Sequence, residues 1–223
     1  MVQDILVAGA TGRTGRIIVH KLSQQGFKPR VLVRDLSEAQ ALWGDAVSYY
    51  QGDVREVDTL LPATSGVKTL ISAVGTSSPV GKNCPKRVDY EGIANLVTAA
   101  SAGEVERFIL ISSIAVTHSN HPMNCFGGIL EWKFKGEEVL RASQMDYGII
   151  RPGGLKDTPG GERRLIFSQG DSLLGMLSRS DLAEICLQAV QYPQPLRVTF
   201  EVIEAEPEYS GQTQPQFAAL MAD

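Results

Sequence analysis

The chain has 223 residues, a formal net charge of −4 and a sequence pI near 5.5. Hydrophobic residues make up 43% and charged residues 21%, the balance expected of one globular domain with a substantial core. No basic field points to nucleic acid or an anionic membrane, and no apolar run approaches the roughly 18 residues of a membrane span.

A strand pattern begins directly after "MVQ", so no signal peptide is expected. "DILVAGA" reads as a buried strand and "RTGRIIVHKLSQQG" as a helix closed by Gly26. "KPRVLVRD" is a second strand, and "SEAQALWG" a short helix with Ser37 as its expected N-cap. "VSYYQGD" is a third strand, "EVDTLLPATSG" a weak helix and "VKTLISAVG" a fourth strand. A loop over 75–87 precedes the helix "VDYEGIANLVTAASAG". "RFILISS" is a fifth strand, a loop over 116–128 leads into the helix around "ILEWKFKGEEVL", and "YGIIRP" is a sixth strand. After Pro152 the pattern loosens. "GGLKDTPGGERR" reads as a loop, "SRSDLAEICLQAVQY" as a helix, "LRVTFEVIE" as a strand and "QPQFAALMAD" as a terminal helix.

Continuous apolar strands between amphipathic helices imply an α/β, doubly wound parallel sheet with helices on both faces. A single domain over 1–223 is expected, with 153–223 supplying a small cap over the strand ends. Cys84, Cys125 and Cys186 show neither a disulfide framework nor a CxxC motif, so a cytoplasmic setting is expected.

"VAGATGRTG" joins the first strand to the first helix and spaces Gly9, Gly12 and Gly15 three apart. Gly9 permits the tight turn, Gly12 lets backbone approach a diphosphate, and Gly15 lets the helix pack on the strand. Free N–H groups at the helix start would bind the diphosphate. An acid directly after the second strand would hold the ribose hydroxyls of NAD; here the strand runs into Arg34, with Asp35 one place later. Arg34 can pair with a 2′-phosphate, and Arg13 can reach the same group, which favours NADP(H) over NAD(H). Otherwise Arg34 is a solvated strand-end charge and Asp35 binds ribose. Asp53, closing the third strand, is placed either for the adenine amino group or for a turn.

These residues, with "VLVRD", "GDV", "LISAVG", "VDYEGIANLVTAA", "RFILISSIAV", "KFKGEEVLRAS", "DYGIIRPGGL" and "SRSDLAEICLQAV", resemble the atypical short-chain dehydrogenase/reductases, the NmrA-like NAD(P)-binding branch with a Rossmann-type sheet. The run "NHPMN…ILEWKFKGEEVLRAS…IIRPGGLKD" is especially similar to plant and cyanobacterial NADP-binding members. The resemblance implies that Gly9, Thr11, Gly12, Arg13, Thr14 and Gly15 contact the diphosphate side. It implies that Arg34 takes the 2′-phosphate, Asp53 and Val54 the adenine, and Ala73, Val74 and Gly75 the adenosine ribose. Ser112 and Ser113 match the place of the catalytic serine, Lys133 the lysine that holds the nicotinamide ribose, and Pro152 with Gly153 the nicotinamide carboxamide.

Members with the full apparatus carry a tyrosine four residues before that lysine, as acid or base. Here the place is Ile129, on the same helical face, with no proton to give. Trp132 is no substitute, and Tyr90 on the preceding helix is the remote alternative. Carbonyl–alcohol chemistry is thereby disfavoured. What remains is reduction of a small conjugated acceptor such as a flavin, quinone or bilin, with Ser112 or Ser113 orienting it, or non-catalytic NADP(H) sensing through a protein partner. A monomer or homodimer is expected.

His118, His121 and Cys125 lie close together but lack a standard zinc spacing and a fourth ligand, so no metal is expected. No G-x-S-x-G elbow surrounds Ser112 and Ser113. Lys133 and Glu137 could form an i,i+4 surface pair. "KDTPGGERR" is either a substrate lid or plain surface.

Overall fold

The computed structural model describes residues 4–76, 78–206 and 217–223. The apolar runs become strands β1 (Ile5–Ala8), β2 (Arg30–Val33), β3 (Ser48–Gln51), β4 (Thr69–Ser72), β5 (Arg107–Ile111) and β6 (Asp146–Pro152). Between them lie helices α1 (Arg13–Gln24), α2 (Leu36–Trp43), α3 (Leu61–Thr64), α4 (Gly92–Ala102) and α5 (Ile129–Arg141). The later chain adds short strands β7 (Gly154–Lys156), β8 (Leu165–Ser168) and β9 (Met176–Ser178), helix α6 (Arg179–Gln191) and strand β10 (Val198–Glu204).

Among the described residues the main sheet has eight strands in the order β3-β2-β1-β4-β5-β6-β10-β8, all parallel except β8, which runs antiparallel to β10. Alternate residues feed two cores. Ile5, Val7, Ile71 and Ile109 face the side covered by α1 and α6, whereas Leu6, Ala8, Leu70 and Phe108 face the side covered by α3, α4 and α5. The strand order reverses between β1 and β4, and ligands of such sheets bind at the carboxyl ends of the strands beside that reversal.

Several expectations change. Parts of 153–223 continue the sheet rather than capping it: β10 lies beside β6, β8 forms the edge, and α6 packs beside α1. Among the described residues, only the β7–β9 ribbon is a separate sheet. Helix α2 is capped by Asp35, not Ser37: Asp35 accepts from the N–H groups of Ser37 and Glu38 at 2.9 and 3.1 Å. The expected helix over 88–103 begins as a π-helical turn, Lys86–Glu91, before α4. In place of a terminal helix there is one 3₁₀ turn, Phe217–Ala219; residues 214–216 of that expectation lie outside the described residues.

A buried charge network fixes helix α5 and the loop after β5. Fully buried Glu137 accepts from Arg151 Nε and Nη2 at 3.0 and 2.6 Å, and from Arg141 Nη2 at 2.9 Å. The expected Lys133–Glu137 pair does not form, because Glu137 turns inward to β6. Arg151 Nη1 lies 3.9 Å from Asp171 Oδ2. Asp171 in turn accepts from Ala115 N, Thr117 N and Thr117 Oγ1 at 2.6, 2.8 and 2.7 Å. It thereby holds Ala115 in a left-handed conformation, φ 64°. Glu201 on β10 accepts from the N–H groups of Asp171 and Leu173.

Burial pushes the Asp171 carboxyl up, but the donors from Thr117 and Ala115, with Arg151, outweigh it and hold it below the usual value. Such a lowered carboxyl stabilises the fold above the unfolded-state value, and the contribution is lost as pH falls through the folded one. Acid unfolding followed by circular dichroism should therefore show the stability gap between wild type and Asp171→Asn closing below about pH 4. Glu137→Ala strands the Arg151 guanidinium and should cost about 3 kcal/mol or more in urea unfolding.

Candidate cofactor site

A cavity of about 340 Å³ opens at the carboxyl ends of β1, β2 and β4. Gly9 and Gly12 form one wall, Arg34 and Glu38 another, Asp53, Val54 and Arg55 a third, and Ala73, Val74 and Gly75 a fourth. The glycine loop is built by close contact. Gly9 adopts φ +77°, and a Cβ there would lie 2.6 Å from the Ala73 carbonyl oxygen. A Cβ on Gly15 would lie 2.1 Å from the Gly9 carbonyl oxygen, so only glycine lets α1 start against β1. Gly12 is the N-cap of α1 and offers no side-chain acceptor; the first turn contains no acidic residue. The first N–H groups of α1 are thus left for an anion, in a cradle shaped for backbone-bound diphosphate.

Arg34 lines the cavity, and its guanidinium makes no hydrogen bond or ion pair with the described residues. Asp35 beside it is committed to capping α2 and does not line the cavity. Glu38, which does, is paired with Arg16 at 2.9 Å. Both Asp53 oxygens are taken by Arg55, whose Nε donates to Oδ1 at 2.9 Å and whose Nη2 donates to Oδ2. That clamp, foremost the Arg55 side chain, holds the Asp53 carboxyl below its usual value.

Behind Val74 a second space of about 10 Å³, the size of one water, is lined by Asp89, Ser112 and Lys133 among apolar neighbours. Lys133 Nζ lies 2.8 Å from Asp89 Oδ1. Asp89 Oδ2 accepts from Thr76 N at 3.2 Å, and the buried Ser112 Oγ has no hydrogen-bond partner. Ile129 and Phe134 pack against the buried cluster of Ala115, Val116 and Leu130, so the helical face before Lys133 is apolar. Tyr90 stacks on Trp132 at 5.7 Å between ring centres, and neither ring lines either cavity.

The structure thus brings together Gly9, Thr11, Gly12, Arg34, Asp53, Val54, Ala73, Val74 and Gly75, with Ser112 and Lys133 adjoining at Val74. Thr14 and Gly15 sit in the first turn of α1. Arg13 points elsewhere: its Nη1 is 3.0 Å from Asp157 Oδ2, and Arg179 holds the other Asp157 oxygen at 2.8 Å. Ser113 is half-buried and lines neither cavity. Pro152 and Gly153 are buried at the end of β6, where a Cβ on Gly153 would meet the Gly175 carbonyl oxygen at 2.5 Å. Asp89, Glu38, Arg55 and Asn83 are lining residues that motif reasoning missed. Only the helical pattern around Asp89 was visible, and it marked no partner. His121 Nδ1 accepts from Met123 N at 3.2 Å, and among the described residues no group of three or more His, Cys, Asp or Glu could hold a metal. No described helix is long and apolar enough to cross a membrane.

A sanguinarine reductase from Eschscholzia californica is 30% identical over 98% of this chain and 94% of its own length. An uncharacterised chloroplast protein of Arabidopsis thaliana is 34% identical over 97% of this chain and 74% of its own. Among solved structures, ChuY of Escherichia coli O157:H7, described as an anaerobillin reductase, superposes with a TM-score of 0.79 at 22% identity, covering 94% of this chain and 100% of that one. A family model described as NAD(P)H-binding matches residues 9–193. With the glycine cradle, the doubly wound sheet and these relatives in agreement, the chain belongs to the NAD(P)H-binding family, as an atypical member of the short-chain dehydrogenase/reductases.

Proposed function

We propose that the protein is an NADPH-dependent reductase of a small conjugated acceptor of the flavin, quinone or bilin type, working without a tyrosine acid. The observation that carries this reading is the composition of the paired cavities. A cofactor cradle leads to a lysine and an unpartnered serine, while no described tyrosine lines either space. Bound NADPH would supply the reducing equivalents. The chain would hold it by the Gly9–Gly15 loop, the first turn of α1 and the Arg34 guanidinium, and Lys133 and Ser112 would face its nicotinamide end. An acceptor that spreads charge over conjugated rings takes its proton from solvent, so the missing phenol is no obstacle. The reductase names of two relatives support the same reading.

The test is loss of NADPH absorbance with purified protein across flavins, quinones and a bilin. Turnover with one of these, persisting in Tyr90→Phe, is expected. Tight NADPH binding without turnover on any acceptor would instead assign a sensing or docking role through a protein partner. The preference for the 2′-phosphate rests on Arg34. Arg34→Ala should weaken NADPH binding about 10-fold or more and leave NADH binding nearly unchanged. Equal losses, measured by titration calorimetry, would remove Arg34 from that role.

A further inference from the structure

We propose that Glu38 is a specificity-determining residue of the cofactor cavity, a carboxylate that works against the 2′-phosphate Arg34 would take and favours free ribose hydroxyls. This rests on the cofactor reading above, and goes beyond it by assigning the residue that limits the preference for NADPH over NADH.

Two side chains of opposite charge line the cavity just after β2. Arg34 has no hydrogen bond or ion pair among the described residues, and its charge reaches Asp53, whose carboxyl is held down first by Arg55 and then by Arg34 as well. Glu38 lines the same cavity. It is the third residue of α2, where a glutamate can turn back onto the N–H of the N-cap residue. Here it reaches instead to α1, where its Oε1 accepts from Arg16 Nη2 at 2.9 Å. Arg16 is itself fixed, because its Nε donates to the Thr11 carbonyl oxygen at 2.7 Å. Thr11 lines the cavity too, so the chain Glu38–Arg16–Thr11 clips the carboxylate to the glycine loop.

The chemistry of that carboxylate sets the direction of its effect. It accepts hydrogen bonds and donates none. The 2′- and 3′-hydroxyls of NADH can donate to it, whereas a 2′-phosphate brings acceptor oxygens and like charge. Asp35, the acid beside Arg34 in sequence, is spent on the cap of α2, which leaves Glu38 as the acid of this segment facing the ligand. Arg16 occupies only one of its oxygens; Oε2 has no partner among the described residues. NADPH therefore meets an attraction from Arg34 and a repulsion from Glu38 in one cavity, and selectivity is the difference between them. The Glu38 side chain is 54% exposed, so solvent keeps the repulsion modest.

The test is titration calorimetry with NADPH and NADH on wild type, Glu38→Gln, Arg16→Gln and the double variant. Both positions are exposed on helix surfaces, and glutamine keeps the length of the glutamate. Glu38→Gln should strengthen NADPH binding about 5-fold and weaken NADH binding about 2-fold or more. The same shift should appear when Glu38→Gln is added to Arg16→Gln, because the carboxylate acts on the ligand directly. An unchanged ratio of the two affinities overturns the proposal, and so does a parallel change in both. A shift that vanishes in the Arg16→Gln background also overturns it, since Glu38 would then act only by occupying Arg16. Wild-type protein that binds neither dinucleotide refutes the cofactor reading itself, and this inference with it.

Discussion

The position of the cofactor cavity depends on how closely helix α1 can lie against the end of strand β1. That distance is set where the Gly15 α-carbon meets the Gly9 carbonyl, with no room for a methyl group. Once α1 starts there, its free N–H groups open beside the reversal in strand order, and β2, β3 and β4 bring Arg34, Asp53 and Ala73 around the same space. A wider approach would separate the anion-binding helix end from the walls. The glycines therefore act first on packing, and their part in ligand binding follows from it.

A second constraint lies across the sheet, on helix α5, which carries Lys133. It is held by charge as much as by apolar packing. Glu137 is locked to Arg151 on β6, Arg151 leans on Asp171, and Asp171 grips the loop that leaves Ser112 and Ser113. Buried ion pairs are poor sources of stability but good sources of geometry, because a stranded partner is penalised heavily. Here that penalty ties α5, β6 and the loop after β5 into one register, with the lysine and the serine on its two sides.

Much of this was legible in the chain. The six apolar runs up to β6 declared themselves by composition, and the glycine spacing declared the cradle. What escaped has physical reasons. "LIFS" is short and half-buried, so its membership in the sheet as β8 depends on pairing with β10, which no local pattern encodes. The cap of α2 was misplaced because Asp35 and Ser37 are both good cap residues, and the strand exit, two residues earlier, chose between them. Lys133 and Glu137 have ideal spacing for a surface pair, yet each finds a stronger partner from a distant segment. Asp89 is the clearest case. An acid within an amphipathic helix looks like a solvated position until the fold places a lysine over it.

The ion pair between Arg13 and Asp157 bears on how affinity is distributed over the glycine loop. Asp157 is shared with Arg179 at the start of α6, so the loop after β7 is moored to the nucleotide cradle through one carboxylate. A phosphate that recruits Arg13 must displace that carboxylate, exchanging one anion for another at an exposed guanidinium. Arg13 then contributes only the difference between two similar contacts, however strong either is alone. The same exchange frees Asp157 on one side. A nucleotide that recruits Arg13 would thus be coupled to that ion pair alone, because Arg179 still holds Asp157 and Asp181 still accepts from Gly161 N.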